Sequence, residues 1–542
     1  MFKPRRPEIL ILVLATYIAL VLNYPFWRKL FAAAAPHNFS DWHFLAAMVV
    51  AVILALYLIL LAISLKPVLR VLVLILLPTT AAASYFMGEY GIVIDTNMVR
   101  NVFETDARET GDLLTFKLFG YVGILGLLPA ILFCGIPWTP QTFKDEAVAK
   151  MKYAAVAAVV LVLAVFPVWG SFLSLFREQR ELKMTLTPFN YISAVSNYLQ
   201  KQKLKQAKSV APYGEDAHRA VDAQSRPRKS LFVVVVGETA RWDHFALNGY
   251  GKPTNPELSK IKDLVNYPQA YSCGTDTAQS VPCMFSGLSK AGFSNAKAAS
   301  RENLLDILKR AGIDVLWREN QAGCKGVCDR IATETLTGHK VPTFYPSTEN
   351  FDDVLVDGLD QRIATMKNDT VIVLHMMGSH GPAYWKRYPE KFEIFKPACK
   401  VVQFSDCEAA DLINAYDNTI VYTDHVLARL IEVLSTAESH SVDAGMLYVS
   451  DHGESLGEHN MYLHGMPYAL APEAQIHVPM VTWLSPSMRE ATGVDQSCLE
   501  KRASQRVSHD NLFHSVLGLM DVKTSVYDSS LDLFAACRRP AS

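Results

Sequence analysis

Three short stretches carry the residue types that metal-assisted chemistry needs. Gly237-Glu238-Thr239-Ala240-Arg241, Met376-Met377-Gly378-Ser379-His380-Gly381-Pro382 and Asp451-His452-Gly453-Glu454 each follow an apolar run. A carboxylate, a histidine and an Asp-His pair are oxygen and imidazole donors that suit zinc or a similar divalent ion. One such residue behind an apolar run is usually a cap or a turn. Three of them, each in a glycine-containing turn, point to a metal site. A fourth stretch, Tyr271-Ser272-Cys273-Gly274-Thr275-Asp276-Thr277-Ala278-Gln279-Ser280-Val281-Pro282-Cys283, brackets a hydroxyl-rich loop with two cysteines. A hydroxyl is a weak nucleophile until a metal or a base lowers its pKa. A disulfide around the loop would hold one oxygen rigidly against an ion. The same composition suits an ordinary tied turn open to water, and spacing does not choose among Thr275, Thr277 and Ser280.

These stretches must be positioned by the elements before them. Residues 231–236 (LFVVVV) read as a buried parallel strand from their continuous β-branched content. Residues 371–374 and 446–449 read the same way, and 315–317 more weakly. Helical periods lie between them, at 303–310 and 408–434. Such alternation predicts an α/β domain with a central, mostly parallel sheet, whose active site gathers at the carboxyl ends of the strands.

The rest of the chain is of another character. Its 542 residues carry 52 Lys+Arg against 53 Asp+Glu, a net charge of -1 that offers no bulk attraction to nucleic acid. Half the residues are hydrophobic and 19% are charged, which excludes an extended disordered protein. Nearly all the apolar excess precedes residue 180, in runs at 9–22, 44–65, 68–87, 121–138 and 154–175. Most span roughly 20 residues, the length a helix needs to cross a hydrocarbon core. The first has the bulky Asn23-Tyr24-Pro25-Phe26-Trp27 where a signal peptide would need small residues, so it reads as an uncleaved anchor. Lys3, Arg5 and Arg6 favour a cytoplasmic N-terminus, and five spans then place everything after about residue 176 outside the cytoplasm. The expected division is a transmembrane domain at 1–175, a bridging segment at 176–227 that lies along the membrane surface, and a catalytic domain at 228–542.

Cysteine usage agrees. Of nine cysteines only Cys134 lies in the membrane half, and the other eight are Cys273, Cys283, Cys324, Cys328, Cys399, Cys407, Cys498 and Cys537. An even number in an exported domain reads as a disulfide set. Eight thiols allow on the order of 100 pairings, so sequence decides none. Short-range closure suggests 273–283, 324–328 and 399–407, leaving 498 with 537. A structural zinc site is the competing reading, and no CxxC pair supports it.

GETARWDH, SCGTDTAQSVPCMFSG, HMMGSHGP, SDHGESLGE and YLHGMPYALAP together closely resemble the phosphoethanolamine–lipid A transferases, inner-membrane enzymes linked to polymyxin and colistin resistance. The resemblance runs from the first span to the C-terminus. It implies five membrane helices and a periplasmic domain of alkaline-phosphatase or sulfatase type. By motif, Thr277 matches the nucleophile that becomes modified, and Glu238, Thr277, Asp451 and His452 match the ligands of a catalytic zinc. His380 and His464 match histidines near the transferred phosphate, and Lys325 a basic residue at the lipid head group. One departure is Ala322, where the family commonly has a hydroxyl. Asn101, Thr105 and Glu109, spaced i, i+4 and i+8, would share one helix face. That pattern more often marks a solvated face, but the resemblance implies contacts to an ethanolamine head group.

The implied reaction passes phosphoethanolamine from phosphatidylethanolamine to lipid A through a phosphothreonine, in a membrane-bound monomer with no nucleic-acid partner. Rivals are a related transferase acting on a core sugar or periplasmic glucan, and a phosphodiesterase or sulfatase. The chain has no Cys-x-Pro-x-Arg stretch to supply a sulfatase formylglycine. A non-catalytic membrane scaffold would not require the Glu238, Asp451 and His452 set.

Overall fold

The computed structural model describes residues 4–104, 107–178, 180–206, 210–219, 227–336 and 351–539. Contacts divide the chain into two compact units, Met1–Val99 with Thr110–Tyr198, and Arg100–Glu109 with Leu199–Ser542.

The first unit is helical. Phe39–Ala62, Lys66–Tyr90, Phe116–Gly135 and Phe143–Phe172 are each long and apolar enough to cross a membrane. Pro7–Leu22 and Tyr24–Ala34 are bent by 62° and make a fifth span if the pair counts as one. The first apolar run is therefore half of a broken element and not a short straight helix. Pro25 has no N–H to continue the helical ladder, which explains a break here. Asn23, fully buried at the break, donates Nδ2 to the Ile18 and Thr187 carbonyls, both at 2.9 Å. Its Oδ1 accepts from the Thr187 N–H at 2.8 Å and from the Thr187 hydroxyl at 3.0 Å. A side chain thus satisfies backbone groups that lipid could not. Leu14, Ile18, Phe26, Leu69, Val73 and Leu77 form part of the core, while Val13, Ile124 and Leu163 turn outward.

The second unit is built on a seven-stranded sheet. In spatial order its strands are Val265–Asn266, Met480–Leu484, Val442–Ser450, Lys229–Gly237, Thr370–His375, Asp314–Glu319 and Ala332–Thr335. The last five are mutually parallel, and Met480–Leu484 is antiparallel to both of its neighbours. Phe232, Val234 and Val236 pack on one face with Val281, Phe285, Leu308 and Phe513, from helices Thr277–Ser286, Leu304–Arg310 and Asp510–Leu519. Helix Ala409–Ser435 packs against strand Val442–Ser450. Burial on both faces is why 231–236 carries no alternation. Asn303 and Glu408, the first residues of the expected helical periods, prove to be N-caps.

From the central strand Lys229–Gly237 the parallel neighbours lie to opposite sides, Thr370–His375 on one and Val442–Ser450 on the other. This is a switch in strand order, where parallel sheets leave a crevice beyond the carboxyl ends. Gly237 pairs with Ser450, and Val236 with His375. That register sets Glu238 beside Asp451, and the Asp451 N–H donates to the Gly237 carbonyl at 3.0 Å.

Gly453 turns the chain just past this edge, its N–H donating to the Gln475 carbonyl at 3.0 Å. A Cβ on Gly453 would collide with the carbonyl oxygen of Ala474. Gly453→Ala is therefore expected to destabilise the unit by about 3 kcal/mol, as overpacked sites do. A melting temperature for the variant equal to that of the parent would refute this.

Candidate metal and nucleophile site

Four side chains meet in the crevice. The Thr277 hydroxyl donates to Glu238 Oε2 at 3.0 Å and lies 3.5 Å from His452 Nε2. His452 Nε2 stands 3.3 Å from Glu238 Oε1 and 3.4 Å from Asp451 Oδ2. All four residues are buried. Strand ends supply Glu238, Asp451 and His452, and Thr277 opens helix Thr277–Ser286 behind its N-cap Asp276. The positive end of a helix favours negative charge on the threonine oxygen.

The geometry distinguishes the three hydroxyls that spacing leaves equivalent. Thr275 Oγ1 donates to the Met466 carbonyl at 2.6 Å, and Ser280 Oγ accepts from the Gly274 N–H at 3.1 Å. Thr277 alone faces the carboxylates. Its loop is closed by the Cys273–Cys283 disulfide, and Cys324–Cys328, Cys399–Cys407 and Cys498–Cys537 close the other pairs.

A divalent cation fits this donor set. Glu238 Oε1 and Asp451 Oδ2 are buried without a hydrogen-bond partner, a costly arrangement unless something positive lies between them. His452 Nδ1 lies 2.9 Å from the Gly453 carbonyl, which fixes the ring with Nε2 free to act as a ligand. Glu238, Asp451 and His452 each offer one ligand atom, all within 4.8 Å of one another. Burial, then the charge of Glu238, raises Asp451 to about 7. Burial also pushes Glu238 up, but His452 pulls it below the usual carboxylate range. Burial disfavours charge on His452, and Asp451 and Glu238 outweigh that, raising it to about 10. The charge of Glu238 thus works against charge on the buried Asp451 beside it, a repulsion that positive charge between them relieves.

A second ring of residues surrounds the four. Gln321 Nε2 donates to Glu238 Oε2 at 3.1 Å. The His464 ring lies 4.3 Å from that of His452 and 5.5 Å from that of His380, centroid to centroid. His464 Nδ1 is 2.8 Å from Glu454 Oε2, and Glu454 Oε1 accepts from the Tyr384 hydroxyl at 2.6 Å. Sequence reasoning missed Gln321 and Tyr384 and gave Glu454 no role, although Glu454 stands two residues past His452. Lys325 sits in the loop closed by Cys324–Cys328, its Nζ on the Ala322 carbonyl at 3.0 Å, and no contact joins it to the four central residues. Asn101 lies in helix Thr96–Glu104 and Glu109 in helix Ala107–Leu113, while Thr105 falls outside the described residues.

His509 ties the nucleophile loop to the sheet. Its Nδ1 accepts from the Cys273 N–H at 3.1 Å, and its Nε2 lies 2.9 Å from the Ser450 carbonyl, one residue before Asp451. Only a neutral ring serves both partners, and burial lowers His509 to about 3.

A sheet of this order, with carboxylates, an imidazole and a hydroxyl at its switch point and apolar helices before it, defines a membrane protein with a sulfatase-type domain. Residues 230–522 match the sulfatase family, and residues 52–203 match the family described as phosphoethanolamine transferase EptA/EptB. Phosphoethanolamine transferase EptA of Escherichia coli (strain K12) is 39% identical over 531 residues, covering 98% of this chain and 96% of its own. Phosphatidylethanolamine transferase Mcr-1 of Escherichia coli is 37% identical over 85% of each chain. The integral membrane lipooligosaccharide phosphoethanolamine transferase A of Neisseria meningitidis superposes with a TM-score of 0.95 at 35% identity, over 99% of this chain and 100% of its own. The chain belongs to the EptA family of phosphoethanolamine transferases.

The depressed pKa of His509 has a consequence for stability. The unfolded imidazole binds a proton below about 6.5 and the folded one does not, so stability present above that pH is lost as pH falls. Between pH 7.5 and 5 the His509 contribution amounts to about 2 kcal/mol. Urea denaturation of the parent, measured against His509→Asn across this window, is expected to show that much extra acid sensitivity. Parallel pH profiles would contradict it.

Proposed function

We propose that this protein transfers phosphoethanolamine from phosphatidylethanolamine to a phosphate of lipid A, using Thr277 as a covalent carrier. The observation that carries the reading is the Thr277 hydroxyl at 3.0 Å from Glu238, at a helix N-terminus, inside a buried set of metal-type donors. Family membership supplies the substrate class. We assign zinc as the ion that Glu238, Thr277, Asp451 and His452 hold. When bound, zinc supplies a Lewis acid that lowers the pKa of the threonine hydroxyl.

The chain's own residues do the rest. Glu238, as a carboxylate, accepts the hydrogen bond from the Thr277 hydroxyl, orients Oγ1 and takes its proton as Oγ1 attacks. Thr277 Oγ1 attacks phosphorus in line, a bond to Oγ1 forms, the bond to the diacylglycerol oxygen breaks, and the proton that Thr277 gave up leaves on that oxygen as diacylglycerol. A lipid A phosphate oxygen then bonds to the same phosphorus, the bond to Thr277 Oγ1 breaks, and Oγ1 regains a proton given up by the acceptor phosphate. Dividing one displacement into two predicts ping-pong kinetics. Glu454 holds His464 by Nδ1, which leaves Nε2 to donate to the transferred phosphate. His380, beside it, adds charge stabilisation. Lys325, Asn101, Thr105 and Glu109 serve the head group and its ammonium, as the family resemblance implies.

The membrane helices anchor the enzyme beside two lipid substrates, in the inner membrane with the catalytic unit in the periplasm. Masking a lipid A phosphate with an ammonium reduces attraction for cationic peptides and so gives polymyxin resistance.

Expression in a polymyxin-sensitive host tests this by mass spectrometry of lipid A and of the peptide containing Thr277. The parent is expected to add a phosphoethanolamine increment to lipid A and to carry the same increment on Thr277. Thr277→Ala should lose both, with transfer falling more than about a hundredfold. An increment found only on core sugar or glucan would defeat the acceptor assignment, and full transfer by Thr277→Ala would defeat the mechanism.

A further inference from the structure

Beside the nucleophile loop stand two cations that the proposed chemistry does not use. Lys290 Nζ lies over the ring of Tyr468, 2.8 Å from its centroid, and the Arg506 guanidinium lies over the ring of Tyr271 at 4.0 Å. Tyr271 is stacked on its other face against His477, which is stacked in turn on Trp242, so its ring cannot tilt freely. Among the described residues neither cation has an ion-pair partner. Asp510 bears on Lys290, and its Oδ1 already accepts the Lys290 backbone N–H at 2.9 Å. Glu473 accepts the Tyr271 hydroxyl at 3.3 Å and sits 3.2 Å from His477. Burial lowers the Lys290 ammonium to about 8, with Asp510 opposing and Arg506 adding to the fall. Two positive groups fixed on aromatic faces, neither in an ion pair among the described residues, form a ready seat for a phosphate.

The backbone shows where this seat lies relative to the chemistry. The Gly465 N–H donates to the Thr275 carbonyl at 2.8 Å, Thr275 Oγ1 to the Met466 carbonyl at 2.6 Å, and the Tyr468 hydroxyl to the Ser272 carbonyl at 3.1 Å. Segments 464–468 and 271–277 therefore run alongside each other in opposite directions. His464 and Thr277 stand at one end of the strip, and Tyr468 and Tyr271 at the other. Four residues of extended chain cover at most about 14 Å, a span that a phosphorylated disaccharide bridges. We propose that Lys290 and Arg506, seated on Tyr468 and Tyr271, bind a second, non-reacting phosphate of the sugar acceptor while its first phosphate is modified at Thr277. The inference rests on the acceptor assigned above and adds a specificity device to it.

The test compares lipid A carrying two phosphates with the same lipid carrying one, using the full chain in detergent and the variants Lys290→Gln and Arg506→Gln, singly and together. Melting curves check that the variants fold. The parent is expected to favour the bisphosphorylated acceptor about tenfold in kcat/KM, expressed in KM, and the double variant to lose that preference. The donor half-reaction, read as the increment on Thr277, should proceed at the parental rate. Three outcomes would overturn the seat: a parent indifferent to the second phosphate, a double variant that keeps the preference, or a fall in the donor half-reaction, which would assign these cations to the phospholipid. Failure of the parent to modify Thr277 at all would instead remove the functional reading on which the seat depends.

Discussion

Two buried carboxylates forced together by strand register are the constraint on which the rest of the structure depends. Glu238 and Asp451 stand one residue beyond the paired strand ends Gly237 and Ser450, so the pairing that aligns the strands brings the two residues side by side. Each leaves one oxygen without a partner in the buried interior. A single imidazole, His452, stands within 3.4 Å of both. Such a cluster is destabilising by itself and becomes favourable only around positive charge. What costs stability in the bare protein is what would favour a cation at this candidate site.

The surrounding structure holds a hydroxyl against the same cluster. Helix Thr277–Ser286 aims its first hydroxyl at the carboxylates, with its loop closed by Cys273–Cys283 and held by His509. Gly378 shows how tight the packing is. Its φ of +51° suits glycine, and a Cβ there would come within 2.7 Å of the Glu238 carbonyl oxygen. The HMMGSHGP turn therefore presses against the same residue that the central strand delivers. His464 is held by Glu454, which is itself held by Tyr384, so its ring is oriented beside His452.

Much of this was legible in the sequence because it is local. LFVVVV names a strand buried on both faces, and the residue after its end is found with no knowledge of the fold. The disulfides join cysteines 4, 8, 10 and 39 residues apart, so short-range closure suggests the same pairs. Long-range convergence was not legible. Gln321 reaches Glu238 across 83 residues, and His509 reaches Cys273 across 236, with no periodicity to announce either contact. The choice of Thr277 over Thr275 and Ser280 came from family resemblance, and the physical reason appears only when the other two hydroxyls are seen engaged by the backbone. The bend at Asn23 was missed because hydropathy records apolar length and is blind to a buried asparagine that satisfies a helix break.

The account's central claim is that Glu238, Asp451, His452 and Thr277 hold one zinc ion. Elemental analysis of the purified full chain tests it most directly, on protein handled without added metal or chelator. About one zinc per chain is predicted for the parent, with near-complete loss when Glu238→Gln and Asp451→Asn are combined. A zinc content left unchanged by that double substitution would place the ion elsewhere and contradict the account.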